Sequence, residues 1–298
     1  MAYNYVTNDD FGNNLDQEIH QGLITGVLPQ PDVDFLNNGQ SFVLRQVTTS
    51  GYQPHTRTAG WNAGTITDKK TPFTMGQDRD ISFYVDVNDQ SETGQELAAA
   101  NVSGEFVRSQ ATPEIDAYRF SKMVAAAGAA SHSVSEALTK DNVYTSLRNI
   151  LKPLRKYGQS NTVVWMSSDA MDALEQSTEV TKTLVINSAV IGNIETRVAN
   201  INGVQLIEVW DADRFKSAFT FANGFTPASG AVDINILAAV VPATIPVIKQ
   251  QSVWLFAPNE VGQGDGWLYQ NHLYHDFFIY PSKADGFGVS LVPAASQG

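Results

Sequence analysis

Two stretches near residues 41 and 80 read as strands, the second with the period-two alternation of apolar and polar side chains. The first is Ser41–Val47. In the second, Asp80–Val87, the residues Ile81, Phe83, Val85 and Val87 alternate with Ser82, Tyr84 and Asp86. Between them runs a long polar tip punctuated by Gly51, Pro54, Gly60, Gly64, Pro72 and Gly76. A connection of that length is rare in a compact domain unless it has a task of its own. Residues 41–90 are therefore expected to form an extended two-stranded loop. The period then changes. Thr93 and Glu96 have the spacing of a capping box, and Val102, Phe106, Pro113, Ala117, Phe120 and Val124 follow at steps of three, four and seven. That is one stripe of a helix. Pro113 has no N–H to donate, so a kink or break is expected near Thr112, with Pro113 as the first residue of the second piece. The stripe runs out in the small residues Ala125–Ala130.

Beyond residue 130 the pattern is mixed. Val143, Leu147, Ile150 and Leu154 share one face of a helix over about Asp141–Lys156, with four cations, Arg148, Lys152, Arg155 and Lys156, towards its end. Cations there complement the helix dipole. A strand at Thr162–Met166 and a short helix after Ser168 follow. The run Arg197–Val209 predicts a hairpin turning at Asn202-Gly203, a pair suited to two residues of positive φ. Pro246–Phe256 and Gly266–Tyr280 are rich in β-branched and aromatic residues and read as strands, joined by a glycine-rich loop over Asn259–Gly266. At the other end, apolar residues are sparse before Leu23, Ile24, Val27 and Leu28, and Pro29 and Pro31 stop any helix. Residues 1–40 read as an extended arm with little core of its own. The class is α+β, divided into arm (1–40), loop (41–90), long helix (91–130), mixed domain (131–245) and closing strands (246–298). No internal repeat is present.

Composition narrows the possible roles. Of 298 residues, 43% are hydrophobic, enough for a sizeable core, and 17% are charged, below the usual quarter. Neutral surface suits extensive contact between subunits. The net charge of -12 repels phosphate, so a dedicated nucleic-acid binder is not expected. With no cysteine, disulfides and thiolate chemistry are excluded. The first ten residues, MAYNYVTNDD, carry no signal-peptide pattern. No apolar run approaches membrane-spanning length, and no membrane partner is expected.

Catalytic motifs are missing as well. No phosphate-binding G-x-x-x-x-G-K-[ST], no G-x-S-x-G and no calcium loop occurs. Gly262, Gly264 and Gly266 precede no helix. The best metal candidates are His272, His275 and Asp276. On a strand, an odd offset sends His272 and His275 to opposite faces, so they do not converge. No catalytic residue, metal or cofactor is expected, and the chain is not expected to be an enzyme. A carbohydrate-binding module would expose its aromatics; Trp165, Trp210, Trp254 and Trp267 fall in strand-like segments and are expected in the core.

The order of these elements, and four segments within it, resembles the tailed-bacteriophage major capsid proteins of the Hong Kong 97 fold. Asp78–Gly128 is similar to the second loop strand and spine helix of that family, most tellingly in Pro113-Glu114-Ile115-Asp116-Ala117-Tyr118-Arg119. Val164–Ser177 resembles a strand and helix of its axial domain, and Ile201–Val209 the hairpin that follows. Phe256–Val289 resembles its closing strands, including Gly266-Trp267, His275-Asp276, Lys283 and Gly286. The resemblance implies an N-terminal arm, an extended loop, a peripheral domain holding the spine helix and an axial domain. It implies a head protein that assembles through pentamers and hexamers into an icosahedral shell around double-stranded DNA, built in the host cytoplasm. An encapsulin-like nanocompartment is the alternative on the same fold. Implied partners are copies of the chain, a portal, and scaffolding or decoration proteins. Only about 40 residues precede the loop, so any scaffolding is expected to be a separate protein.

Candidate intersubunit contacts are Trp61 in the loop tip, Lys69 and Lys70 in the loop, and Asn259 and Glu260 in the closing region. Some relatives join subunits by a lysine–asparagine isopeptide bond assisted by a buried glutamate. A lysine attacks only as the neutral amine, which takes burial or a nearby cation. Asp68 adjoins Lys69 and favours the charged form. Salt bridges or hydrogen bonds are expected here instead of covalent links.

Overall fold

The computed structural model describes residues 21–36, 39–55, 57, 61–88, 99–177, 185–191, 194–260 and 264–293; at 99–100, 185–191 and 194–199 only the backbone is described. Residues 1–20 of the arm and the Thr93–Glu96 capping box lie outside these. The chain opens with β1 (Ser41–Thr49), β2 (Ile66–Thr74) and β3 (Gln77–Asp86). The long helix follows as α1 (Ala99–Phe106), a π-helical segment (Val107–Ala111) and α2 (Thr112–Ala129). Then come β4 (Ser133–Ser135), α3 (Val143–Leu154), β5 (Thr162–Ser167), α4 (Ser168–Gln176), β6 (Val185–Ile191), β7 (Ile194–Ile201) and β8 (Val204–Val209). Two short strands, β9 (Phe219–Thr220) and β10 (Thr226–Pro227), precede β11 (Ile234–Val240), β12 (Thr244–Phe256), β13 (Gly266–Ile279) and β14 (Phe287–Leu291).

The largest sheet runs β4-β14-β11-β5-β8-β7-β6, with β14/β4 and β5/β8 parallel and the other pairs antiparallel. Its central strands are covered on both faces. β5 and β11 are buried along nearly their whole length, as expected of a strand with helices on each side. Trp165, Leu237 and Val289 are register partners and share one face. On that face Phe120 of α2 meets Trp165 edge-on at 5.7 Å and Phe215 at 5.0 Å. Gly288 points the other way. A Cβ there would sit 2.9 Å from Ile150 of α3, so glycine lets helix and sheet approach closely. α3 has Val143, Leu147, Ile150 and Leu154 buried, the face its periodicity predicts. The hairpin β7–β8 turns at Asn202 (φ 54°) and Gly203 (φ 82°), both in the left-handed region that this turn needs.

The expected break in the long helix takes a specific form. Pro113 is the second residue of α2, and its missing N–H leaves Ser109 without an i+4 donor. The chain absorbs this by widening to a π turn, where Thr112 N donates to Val107 O, five residues back.

The expectation for the loop needs correction. Ser41–Val47 does form a strand, but its partner lies inside the tip: β1 pairs with β2 over Ser41↔Thr74 to Thr49↔Ile66. The Asp80–Val87 strand exists as β3, yet it belongs to a separate three-stranded sheet, β12-β13-β3. The β1–β2 ribbon turns into that sheet through Met75 and Gly76, and only residues 50–65 form the tip. A buried cluster of Phe42, Met75, Ile245, Val247 and Tyr274 roots the ribbon in the body, with Phe42, Phe73 and Phe278 within 5.2–5.5 Å of one another.

Candidate functional site

Charged residues on the buried stripe of a helix must be paired, and α2 carries two, Asp116 and Arg119. Asp116 is fully buried and accepts four hydrogen bonds. Ile24 N (3.0 Å), Thr25 N (3.0 Å) and Thr25 Oγ1 (2.6 Å) come from the arm, and Arg214 Nη1 (3.1 Å) comes from the turn after β8. Arg214, equally buried, also binds Asp211 Oδ2 at 2.6 Å and donates to Gly22 O at 3.1 Å. Arg119 Nη1 donates to Thr25 Oγ1 at 2.9 Å. Burial lowers the pKa of Arg119, opposed by the Asp116 carboxylate. Gln21 adds bonds to Glu208 O and from Trp210 N. Residues 21–28 are thus plugged into the body, with Ile24 and Leu28 in the main core. The expectation of an arm with little core of its own fails for this stretch.

A second clasp joins ribbon, helix and closing strands. Asp276 accepts from Tyr118 OH (2.6 Å), Gly76 N (2.8 Å) and its neighbour Phe277 N (2.7 Å). Burial, then Asp276, pushes the Tyr118 phenol pKa up. Beside it Arg79 of β3 holds Glu114 of α2 at 2.8 Å and reaches Phe221 O and Gly224 O. So Glu114 ties the helix to β3, Tyr118 to β13, and Asp116 and Arg119 together to the arm. His275 is 2% exposed and stacks edge-on to Tyr118 at 5.5 Å. Burial, then Arg119 and Arg79, pushes its pKa down to about 4 against the pull of Asp276. His272 lies on the opposite face, paired with Asp78 at 2.6 Å. The two histidines therefore do not converge, as their spacing predicted.

The outer surfaces look different. The described residues of the ribbon from Val47 to Lys70 are exposed, and among the described residues neither strand pairs with a third strand. Trp61 is 98% exposed in the tip, beside Tyr52, and Val47 and Ile66 are open on the strands. A two-stranded ribbon of this kind is marginally stable in water by itself. Of the tryptophans expected in the core, only Trp165 is fully buried. Trp254 is 54% exposed between Val253 and Leu255 on the outer half of β12, and Trp210 is 36% exposed. Long edge strands with apolar side chains are surfaces for other chains.

The candidate contacts occupy two places. Lys69 and Lys70 stand on β2, opposite Gln46 and Arg45, and both are exposed. Asn259 (φ 69°) and Glu260 form the turn after β12, where Glu260 Oε2 accepts from Ala257 N at 2.8 Å. No hydrogen bond or ion pair joins the two places among the described residues. Asn271, on β13, is buried and donates to Tyr269 OH at 2.9 Å. Sequence reasoning missed Asp116, Arg214 and Gln21. The one available signal was a carboxylate, Asp116, set within the apolar stripe between Pro113 and Phe120.

No family model matches the chain, and no curated protein matches it in sequence. Solved structures do. A structure from Mycobacterium phage Che8 aligns over 97% of this chain and 98% of its own, at 13% identity and a TM-score of 0.59. The capsid structure of cyanophage P-SCSP1u aligns over 96% and 93%, at 10% identity and a TM-score of 0.69. The mature capsid of bacteriophage PhiM1 aligns over 97% and 93%, at 10% identity and a TM-score of 0.65. The fold is the one these structures share.

Proposed function

We propose that the chain is the major capsid protein of a tailed bacteriophage, assembling through pentamers and hexamers into an icosahedral shell around double-stranded DNA. The observation that carries this reading is the ribbon, an element with a buried root and an exposed length that one subunit cannot cover. On a shell-protein fold such a ribbon finds its partner on a neighbouring copy. Obligate contacts of that kind commonly bury more than about 2,000 Å². Trp61, Lys69, Lys70, Asn259 and Glu260 are the proposed contact residues. The buried clasps, by contrast, find most of their partners within the chain, though Arg119 Nε and His275 Nδ1 have none among the described residues, and they serve to fix arm, helix and sheet in one geometry. The role is structural: the titratable groups of the core are engaged in cross-links between elements, and Arg79 and Glu114, which line a cleft with Phe83 and Phe106, are paired with each other. A portal, and separate scaffolding or decoration proteins, complete the proposed set of partners. The likeness to phage capsids favours this reading over a cargo-carrying nanocompartment. Purified full-length chain is expected to give rings and then closed shells by sedimentation and electron microscopy. A stable monomer at high concentration would overturn the proposal.

A further inference from the structure

The four cations towards the end of α3 are only partly accounted for by the helix dipole. Lys152 alone lies in the last turn, and Lys156, just beyond, is paired with Asp285. Arg148, Lys152 and Arg155 remain, exposed and at steps of four and three, so they share one ridge about 10 Å long. Like charges at these spacings repel. No acid among the described residues forms an ion pair with any of the three. The ridge therefore carries uncompensated positive charge in a chain of net charge -12.

Arg148 and Arg155 open onto a shallow groove shared with Tyr144, Leu151, Gln159 and Asn202, and no acid lines it among the described residues. Arg148 lies over the Tyr144 ring at 5.8 Å. Gln159 and Asn202 are exposed amides. Arginine, lysine, tyrosine, asparagine and glutamine are the side chains that contact phosphate oxygens in complexes with DNA. The groove encloses about 20 Å³, room for one water or one phosphate oxygen and not for a base. Its chemistry fits a sugar–phosphate backbone and offers no means of reading sequence.

We propose that Arg148, Lys152 and Arg155 contact backbone phosphates of the enclosed double-stranded DNA, so that the α3 side of the large sheet faces the interior of the shell. This rests on the shell reading above and names the DNA-facing surface within it. The net charge does not oppose such a contact at close range, because exposed charges farther apart than about 8 Å are screened at physiological ionic strength. Duplex DNA carries about one phosphate per 1.7 Å of axis, so a ridge of about 10 Å meets more phosphates than it has cations. Three contacts make a weak grip. At a slope of about -0.9 per contact, affinity falls by about 40-fold between roughly 50 and 200 mM salt. A wall of this kind holds DNA in place and still lets it leave.

The test measures binding of a short fluorescent DNA duplex to full-length chain by anisotropy, over a range of NaCl concentrations and below the protein concentration at which shells form. Wild type is expected to bind with a slope of log affinity on log salt of about -2.7. Arg148→Gln with Lys152→Gln is expected to reduce that slope by about two while unfolding at the wild-type midpoint. Arg45→Gln with Arg57→Gln removes the same charge from the exposed ribbon and is expected to bind as wild type does. Should the double ridge variant misfold, Lys152→Gln alone carries the comparison, with a slope reduced by about one. A polyglutamate peptide, whose charge density is lower, is expected to bind more weakly than the duplex. No measurable binding by wild type, wild-type binding by the folded ridge variant, or an equal loss in the ribbon variant overturns the contact. Preference for polyglutamate over the duplex also overturns it, and assigns the ridge to an acidic protein segment. None of these outcomes touches the shell reading, which stands or falls on whether the chain forms rings.

Discussion

Phe120 and Phe106 lie on the same stripe of the sequence but at different depths. Phe120 is fully buried against Trp165 and Phe215, whereas Phe106 is half-buried and meets the ring of Phe83 at 5.4 Å. Phe120→Ala should cost about 3–5 kcal/mol, the range for a large aromatic deleted from a packed core. Phe106→Ala should cost clearly less. Denaturant unfolding of isolated subunits measures both, and equal losses would show that the cleft beside Phe106 closes in solution. His275 gives a pH signature. Its folded pKa, about 4, lies below the ordinary 6.5, so the unfolded chain binds the extra proton between those values. Stability contributed by the neutral ring is fully present above about pH 6.5 and is lost as pH falls towards 4, at most on the order of 3 kcal/mol. His275→Gln should flatten that part of the stability curve relative to wild type. An unchanged slope would mean that water reaches the ring.

At the scale of elements, the ribbon is the part whose removal separates folding from assembly. Its root is a packed aromatic cluster, while its outer half adds exposed surface and no core. Replacing residues 50–65 by a two-residue turn should therefore leave a folded subunit with a near-normal unfolding midpoint, since long exposed loops are cheap to remove. The shortened chain should fail to make shells that resist heat and denaturant, as read by native electrophoresis and electron microscopy. Shells as durable as wild type would show that the tip does not clamp neighbours. The π turn before α2 has the opposite character. It is fixed by a single proline, and it precedes the turn of helix that carries Glu114, Asp116, Tyr118 and Arg119.

For the whole molecule, the question is whether the particle is locked covalently. Lys69 and Lys70 are exposed on β2, and Glu260 caps its own turn through Ala257 N. Among the described residues no hydrogen bond or ion pair brings either lysine to Asn259 or Glu260, so the lysine–asparagine–glutamate set that such a link needs is not assembled within the chain. Boiled particles should therefore run on a denaturing gel as one band near 32.4 kDa. A ladder of covalent rings, abolished by Lys69→Ala or Lys70→Ala, would show that assembly buries one of these lysines beside an asparagine. Shells should also release DNA readily at moderate salt, because a chain of net charge -12 has few cations to spare for phosphate.

The sequence alone determined the pieces whose information is local. The α3 face, the Asn202-Gly203 hairpin, the break at Pro113 and the opposed faces of His272 and His275 follow from periodicity, φ preferences and a missing N–H. These are properties of a few adjacent residues, and tertiary contacts did not override them. Pairing was decided only by the fold. Ser41–Val47 found its partner in Ile66–Thr74, since a polar, lysine-bearing strand is stable where both faces meet solvent. The more apolar Asp80–Val87 was drawn instead against β13 and α1. Trp254, read as core, stays exposed because α1 covers only one face of its sheet. The arm segment at Ile24 was anchored by Asp116, 92 residues away, and no local pattern encodes a hydrogen bond across that distance.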